Sequence, residues 1–283
     1  MTLAPLIDRV DELRRLHRLW NDVTGRVGAR LAFVHGPRQV GKTFLLVHLA
    51  AQVRSQGGTA VLATALPGAS ERQQLDGLVS AMRRDMPDDA SLVPDRIADW
   101  PAAFALLCNF ARRQTLLVVL DEVPWYLATT RTWPGHLQVA WDAVRRENRP
   151  PALLLVLTGS AVATMRDLMG GEGALFGRAD DELAVAPFDL PAAAELLGPA
   201  PAQVVIEAYA ACGGYPLHLR AWDLAEPTTA NLERLMGQPG ALLAHTGERI
   251  VADLPDDGGH RRVLHAIGSG DQSHARIRER ADQ

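Results

Sequence analysis

A glycine-rich loop near the start of the chain limits the fold more than any other feature. Residues 36–43 read GPRQVGKT, which fits the pattern G-x-x-x-x-G-K-[ST]. The apolar run Leu31–His35 precedes the loop, and apolar residues at helical spacing follow it from Leu45 to Val53. This order predicts a strand, an anion-binding loop and a helix whose positive end points at the bound phosphate.

The use of lysine supports this interpretation of the loop. The chain has 29 basic residues, and its one lysine is Lys42. A compact ammonium suits a phosphate cradle, so Lys42 is assigned a catalytic role at the β- and γ-phosphates of ATP, and the Thr43 hydroxyl is assigned to Mg²⁺. The residues predicted to contact ATP or ADP are Gly36, Pro37, Arg38, Gln39, Val40, Gly41, Lys42, Thr43 and Phe44.

Four further apolar runs alternate with helical patterns and predict the rest of a sheet. They cover residues 59–65, 116–120, 153–158 and 182–185. Such β–α–β repeats build parallel sheets. We therefore predict an α/β fold of the P-loop NTPase class, with three α/β/α layers and a five-stranded, mostly parallel sheet. A helix is predicted to begin near Val10, with Asp8 as its cap.

The periodic pattern changes at Pro187 and divides the chain. From Pro191 to about Arg249 each periodic segment is helical and is punctuated by Gly or Pro. Two short helices are predicted at His260–Ile267 and His274–Arg280, as in the beginning of a helix-turn-helix. The predicted domains are a P-loop domain over 1–187, a small all-helical lid over 188–255 and an incomplete, winged-helix-like segment over 256–283.

Acidic residues follow the third predicted strand. Leu116–Leu120 runs directly into Asp121 and Glu122. The carboxyl ends of parallel strands meet at one edge of a sheet, so these carboxylates are expected beside the phosphate-binding loop. We predict that Asp121 holds Mg²⁺ through water and that Glu122 polarises the attacking water. The alternative is an ordinary acidic turn after a buried strand.

Two other polar residues are candidates for the same site. Ser160 follows the strand at 153–158, where its side chain is suited to sensing the γ-phosphate or to positioning water; the alternative is a helix cap. Arg178 follows the glycine-rich loop Gly170–Gly173, which is predicted to be mobile, and is suited to act as an arginine finger in cis or in trans. The alternative for Arg178 is a surface arginine.

Composition narrows the partners and the location. The formal net charge is −4, so no global charge recruits nucleic acid or an anionic membrane. The two cysteines, Cys108 and Cys212, lack metal or redox spacing and are expected to be reduced and buried. The apolar runs are too short to span a bilayer. These features predict a soluble cytoplasmic protein without a membrane partner.

From about Leu6 to Leu219 the chain resembles the archaeal-type ATPases of prokaryotes, P-loop proteins grouped near the AAA+ and STAND NTPases. The resemblance is carried by the opening LIDRVDE, the loop GPRQVGKT and four later segments, LLVVLDE, LTGSAVATM, LFGRADDELAVAPF and GGYPLHL. The first loop and the Asp-Glu strand belong to the wider superfamily. The order of TGS, LFGR, a strand that ends in PF, and GGYP narrows the resemblance from this superfamily to the archaeal-type ATPases.

The resemblance implies further roles. Arg9 and Glu12 would flank the adenine, Ser160 would be the sensor, and Arg178 would face the phosphate or a neighbouring subunit. Tyr215 and Pro216 lie in the glycine–proline motif, where a helical lid would meet the nucleotide. The opening motif has Val10 where an acidic residue is usual. Members commonly continue into a winged helix and sometimes a nuclease-like domain.

The leading functional hypothesis is Mg²⁺-dependent ATP binding and hydrolysis that drives a conformational cycle of the lid. A second hypothesis is a signalling switch that holds ADP and hydrolyses slowly until an unidentified protein partner or effector acts. A small-molecule kinase is disfavoured, because Glu122 beside Asp121 suits water activation. A DNA-associated regulator would require a fuller C-terminal winged helix. A homo-oligomer is expected if Arg178 acts in trans.

Overall fold

The computed structural model describes residues 4–252, 259–268 and 273–281. The chain divides into two compact units, Met1–Glu195 and Leu196–Gln283. Sequence patterns placed the corresponding boundary at 187/188, and the second predicted boundary, at 255/256, lies outside the described residues. Within the described part of the chain, no helix is long and apolar enough to cross a membrane.

The first unit contains one sheet of five strands, and all four strand pairings are parallel. The strands are β1 Arg30–His35, β2 Thr59–Thr64, β3 Leu116–Asp121, β4 Leu153–Gly159 and β5 Asp181–Ala184. Their order in the sheet is β2-β3-β4-β1-β5. All residues of β3 and β4 are buried, as expected for strands covered on both faces. The predicted α/β fold with five parallel strands is confirmed.

Seven α-helices lie wholly within the described part of this unit. They are α1 Val10–Thr24, α2 Lys42–Ser55, α3 Glu71–Asp85, α4 Trp100–Arg113, α5 Val123–Thr129, α6 Trp133–Arg145 and α7 Val162–Met169, with a short 3-10 helix at Pro87–Leu92. Alternate strand residues pack on opposite faces, with α1 and α2 on one face and α3 to α7 on the other. This arrangement gives the three predicted layers, α/β/α.

The beginning of α1 differs from the sequence-based prediction. Asp8 does not cap the helix: the residue at the cap position is Arg9, and no side chain there accepts a hydrogen bond from the first turn. Asp8 and Arg9 both have left-handed backbone conformations, with φ of 55° and 68°. The local capping rule is overridden because the Arg9 side chain is buried in the sheet domain, with 5% of its surface exposed.

In the described part of the second unit every regular element is a helix, as the sequence predicts. The chain enters it through α8 Leu190–Leu197 and continues through the helices α9 Ala202–Cys212, α10 Pro216–Arg220, α11 Thr228–Met236, α12 Leu242–Ala252, α13 Gly259–Gly268 and α14 His274–Ala281. The last two coincide with the two short helices predicted from the sequence. Their interpretation as the beginning of a winged helix stays a prediction.

Candidate functional site

The order of the strands brings the chemically distinctive residues to one edge of the sheet. β4 lies between β1 and β3, so the carboxyl ends of these three strands are adjacent. The loop after β1 is the glycine-rich loop, the residue after β4 is Ser160, and β3 ends at Asp121. Neighbouring strands are about 4.8 Å apart, so β1 and β3 are separated by roughly 10 Å at this edge. The glycine-rich loop, Ser160 and Asp121 therefore follow adjacent strands at this edge.

The conformation of the glycine-rich loop requires glycine at its first position. Gly36 has φ of 154°, and a Cβ atom there would lie 2.2 Å from the backbone oxygen of Val185. Gly41 has φ of 100° and also adopts a conformation that side chains disfavour. The two glycines therefore allow the tight curvature of the loop, and Gly36 also allows its close packing against Val185, the residue that follows β5.

Lys42 begins α2 and turns its ammonium back into the loop. Its Nζ donates to the backbone oxygens of Gly36 and Pro37 at 2.8 and 2.9 Å. Burial lowers the pKa of Lys42, and the nearby carboxylates of Glu122 and Asp121 oppose this effect. The ammonium group of the chain's one lysine therefore lies inside the loop, and both of these hydrogen bonds are to neutral carbonyl groups.

The hydroxyl of Thr43 joins the loop to the acidic end of β3. Its Oγ1 donates to Oδ2 of Asp121 at 2.8 Å, and Oδ1 of Asp121 accepts from the backbone N–H of Glu122 at 2.9 Å. Asp121 is 5% exposed, and burial raises the pKa of its carboxyl group. Two hard oxygen groups are therefore adjacent beside the phosphate loop, although they are separated by 78 positions in the sequence.

This pair of oxygen groups fits Mg²⁺. Magnesium is usually held by one or two protein oxygens together with substrate phosphates, and it keeps several waters. Thr43 and Asp121 supply such oxygens at the edge where the loop would place the phosphates. In the described residues no group of three or more His, Cys, Asp or Glu side chains could hold a metal by itself. A site completed by phosphate oxygens is consistent with both observations.

Glu122 is held by the residue that follows β4. The hydroxyl of Ser160 donates to both carboxylate oxygens of Glu122, at 2.9 and 3.1 Å, and the backbone N–H of Ser160 lies 3.4 Å from one of them. Glu122 has φ of 55°, a strained conformation for a residue with a side chain. The predicted base and the predicted sensor thus form one hydrogen-bonded pair.

Arg9 also lies beside the loop, and sequence reasoning missed its contacts. Its Nη2 donates to the backbone oxygens of Val40 and Ala186, and its Nη1 lies 3.2 Å from Oε1 of Glu12. The guanidinium carbon lies 4.8 Å from the centre of the Phe188 ring. No periodicity or motif in the sequence signals these contacts. The role of Arg9 at the adenine stays a prediction.

The hydrogen bonds of Arg178 that the structure describes lie outside the phosphate loop. Arg178 donates through Nε and Nη2 to the carboxylate of Asp142 on α6, at 2.8 Å each, and through Nη1 to the backbone oxygen of Phe176. This bidentate ion pair raises the pKa of Arg178 and lowers the pKa of Asp142. The arginine-finger role stays a prediction, and it requires this pair to open.

The segment before Arg178 is folded back on α7. The N–H of Gly170 donates to the backbone oxygen of Arg166 at 2.7 Å, and the N–H of Leu175 donates to that of Leu168 at 3.0 Å. Leu175 is fully buried. Residues 170–173 thus form a hydrogen-bonded turn, and their mobility stays a prediction.

Tyr215 and Pro216 belong to the second unit. Pro216 opens α10, a position where the missing N–H of proline costs nothing. The ring of Tyr215 lies 5.2 Å from that of His218. Gly213 and Gly214 precede them with φ of 65° and 74°, so the sharp turn is formed by glycines. A nucleotide contact of Tyr215 and Pro216 stays a prediction.

Comparison with known proteins shows the fold of the chain. Neither a protein-family model nor a curated protein matches it. A Walker-type ATPase of Pyrococcus abyssi matches with a TM-score of 0.66 and 21% identity, over 97% of this chain and 83% of that one. The Orc2 protein of Aeropyrum pernix, in ADPNP–ADP complexes, matches with a TM-score of 0.63 and 14% identity, over 99% and 81%.

A third structure has the same architecture. The Orc1 protein of Aeropyrum pernix in complex with DNA matches with a TM-score of 0.52 and 18% identity, over 98% of this chain and 77% of that one. At these identities the likeness concerns the fold. The chain therefore has the P-loop α/β fold of the Walker-type ATPase and Orc proteins, in agreement with the resemblance drawn from its motifs.

Proposed function

We propose that the chain binds ATP with Mg²⁺ and hydrolyses it to ADP and phosphate. The observation that carries this proposal is the 2.8 Å hydrogen bond between Thr43 and Asp121, which joins the phosphate loop to the acidic strand end. A similar fold occurs in a Walker-type ATPase and in Orc proteins solved with ADPNP and ADP. Motif, geometry and fold thus support the same chemistry.

Binding and charge neutralisation are assigned to the loop and its lysine. Backbone N–H groups of the loop, except at Pro37, and the positive end of α2 would bind the phosphates, and Lys42 would supply a compact positive charge. Thr43 and Asp121 would hold Mg²⁺, which would neutralise charge on the phosphate oxygens. Burial lowers the pKa of Lys42, and the negative charge of a bound triphosphate would raise it again by stabilising the charged form.

Hydrolysis is assigned to Glu122. Its carboxylate takes a proton from a water molecule whose oxygen attacks the γ-phosphorus, and the bond from that phosphorus to the bridging oxygen breaks to release ADP. Ser160 fixes the carboxylate through the hydrogen bonds at 2.9 and 3.1 Å. A fixed base loses less orientational freedom in the reaction.

Steady-state turnover with two variants tests this proposal. Purified wild-type chain should release phosphate from ATP in the presence of Mg²⁺. Glu122→Gln should bind ATP with nearly unchanged affinity and turn over far more slowly, and Lys42→Ala should lose binding. Equal turnover in wild type and Glu122→Gln would refute the role of Glu122, and ATP binding by Lys42→Ala at wild-type affinity would refute the role of the loop.

The proposed purpose of hydrolysis is a conformational cycle of the helical lid, residues 188–255. Bound ATP engages Arg178 or the region of Tyr215 and Pro216, and loss of the γ-phosphate releases that contact. Limited proteolysis tests the cycle: cleavage within Gly170–Gly173 should differ between ADP and a non-hydrolysable ATP analogue. Identical cleavage patterns would contradict it. The proposed setting is the cytoplasm, with an unidentified protein or a second copy of the chain as partner.

A slow, ADP-holding switch is the second candidate, and one contact favours it. Ser160 donates to both carboxylate oxygens of Glu122, which occupies lone pairs that would otherwise accept from water. Replacing this serine with alanine separates the two candidates. In the ATPase cycle Ser160→Ala slows turnover because the base is no longer oriented. In the switch Ser160→Ala speeds turnover, and ADP co-purifies with the wild-type chain.

A further inference from the structure

Arg9 connects two backbone segments through one nitrogen of its guanidinium. Its Nη2 donates to the carbonyl oxygen of Val40 at 3.3 Å and to that of Ala186 at 2.5 Å. The face of the guanidinium lies 4.8 Å from the centre of the Phe188 ring, and Nη1 lies 3.2 Å from Glu12. Only 5% of Arg9 is exposed. These donors are committed to the backbone, to a carboxylate and to a ring.

Residues 185–188 are linked to the phosphate loop near both ends of the loop, once directly and once through Arg9. At the first end, the Cα of Gly36 approaches so closely that a Cβ would lie 2.2 Å from the oxygen of Val185. At the second end, Arg9 bridges Val40, two positions before Lys42, to Ala186. The loop is therefore fixed to the continuation of β5 at its beginning by direct packing and near its end by Arg9.

The backbone around Arg9 is bent to allow this bridge. Asp8 and Arg9 are consecutive non-glycine residues in the left-handed region, a conformation that side chains disfavour. The bend ends where the N–H of Leu13 donates to the oxygen of Arg9 and α1 begins. Such strain persists where the surrounding contacts determine the conformation, and it collects at functional sites.

We propose that Arg9 is a positioning residue for the phosphate loop. It fixes the Val40 carbonyl so that Gly41 and Lys42 keep the phosphate-binding conformation, and its effect reaches the phosphates through the backbone. The guanidinium donates to both carbonyls through Nη2 while it lies over the Phe188 ring, and a lysine ammonium has no planar face for that second contact. The assignment rests on the proposed nucleotide binding. It differs from a contact with adenine, which would act on the base alone.

Arg9→Lys tests the assignment, and Arg15→Lys is the matched control. Arg15 lies on the same helix and connects it to β5, through Asp181 and the backbone oxygen of Glu182 at 2.7 Å, but it is bonded to no loop residue in these contacts. For each variant, calorimetry gives the dissociation constants of Mg–ATP and of Mg–tripolyphosphate, which carries the phosphates without the base. Thermal unfolding reports the fold.

The expected result is a parallel loss of affinity for both ligands. Arg9→Lys should raise the dissociation constants of ATP and of tripolyphosphate by the same factor, about tenfold, which is the typical cost of a lost charge-assisted hydrogen bond. Arg15→Lys should leave both constants within about twofold. A loss for ATP with unchanged tripolyphosphate binding would overturn the proposal in favour of an adenine contact. Unchanged binding of both ligands would overturn it as well.

Phe188→Leu serves as a second variant that keeps the bridge and removes the ring beneath it. This variant should raise the dissociation constants of ATP and of tripolyphosphate equally, by about threefold. If Arg9→Lys does not fold, this variant decides: an equal loss supports the assignment, and a loss confined to ATP, or none, overturns it. If wild-type chain binds neither ligand, nucleotide binding itself fails and the assignment falls with it. If wild type binds both, only the assignment of Arg9 is at stake.

Discussion

Replacing Gly36 with alanine adds one methyl group at the first position of the phosphate loop. That carbon would lie 2.2 Å from the oxygen of Val185. An ordinary carbon–oxygen contact is about 3.3–3.6 Å, so the overlap is roughly 1 Å. The φ of 154° adds backbone strain of about 1–3 kcal/mol, and overpacking adds about 1–3 kcal/mol. The expected loss of stability is therefore about 2–6 kcal/mol, a large part of a typical 5–15 kcal/mol.

Gly57→Ala is the control for the backbone term. Gly57 has φ of 80°, but a Cβ there would meet no atom within 4 Å. This variant should lose only about 1 kcal/mol. Urea unfolding, followed by the fluorescence of the six tryptophans, measures both losses, and added ADP reports the site. ADP should stabilise Gly57→Ala and not Gly36→Ala. Equal losses in the two variants would refute the close packing against Val185.

Three other predictions follow from the structure. Burial raises the pKa of Asp121, so its ionised form destabilises the nucleotide-free fold. Asp121→Asn should therefore be more stable than wild type above pH 3.8, the ordinary pKa of an aspartate, and should show no gain in stability below that pH. Urea unfolding at several pH values measures the difference. Burial raises the pKa of Cys108 and Cys212 to about 11, so a thiol-reactive disulfide reagent at neutral pH should label them only after unfolding. Arg178→Lys should slow ATP turnover more than Asp142→Asn, while both leave the melting temperature nearly unchanged because their ion pair is partly exposed.

The strands could be predicted from the sequence because they are buried on both faces. Such strands are continuous apolar runs, and each of the five begins and ends within one residue of its predicted bound. The run at 116–120, for example, is a strand that ends at Asp121. Their order in the sheet was not predictable in the same way, because it depends on pairing between segments far apart in the chain.

The contacts that organise the site lie outside what local patterns report. Ser160 meets Glu122 across 38 positions, and Arg9 meets Ala186 across 177. Periodicity and capping rules describe neighbours within a few residues, so they carry no signal for these pairs. The same limit explains why the prediction that Asp8 caps α1 was wrong: the burial of Arg9, not the local capping pattern, determines the backbone there.

The helix α5 was missed for a related reason. It spans Val123–Thr129, only seven residues, and follows the left-handed Glu122. Pro124 lies in its first turn, where proline is tolerated, although in a sequence it resembles a breaker. A helix this short depends on packing against the sheet, which a one-dimensional pattern does not show.

Calorimetric titration of ATP into the purified chain tests the central claim most directly. The account predicts one site per chain, an affinity that falls when Mg²⁺ is removed, and a further loss in Lys42→Ala. Thr43→Val, which removes the hydroxyl that donates to Asp121 while keeping the branched shape, should bind ATP with a smaller dependence on Mg²⁺ than the wild-type chain. Absence of binding by the wild-type chain, or binding that neither Lys42→Ala nor the removal of Mg²⁺ changes, would contradict the account.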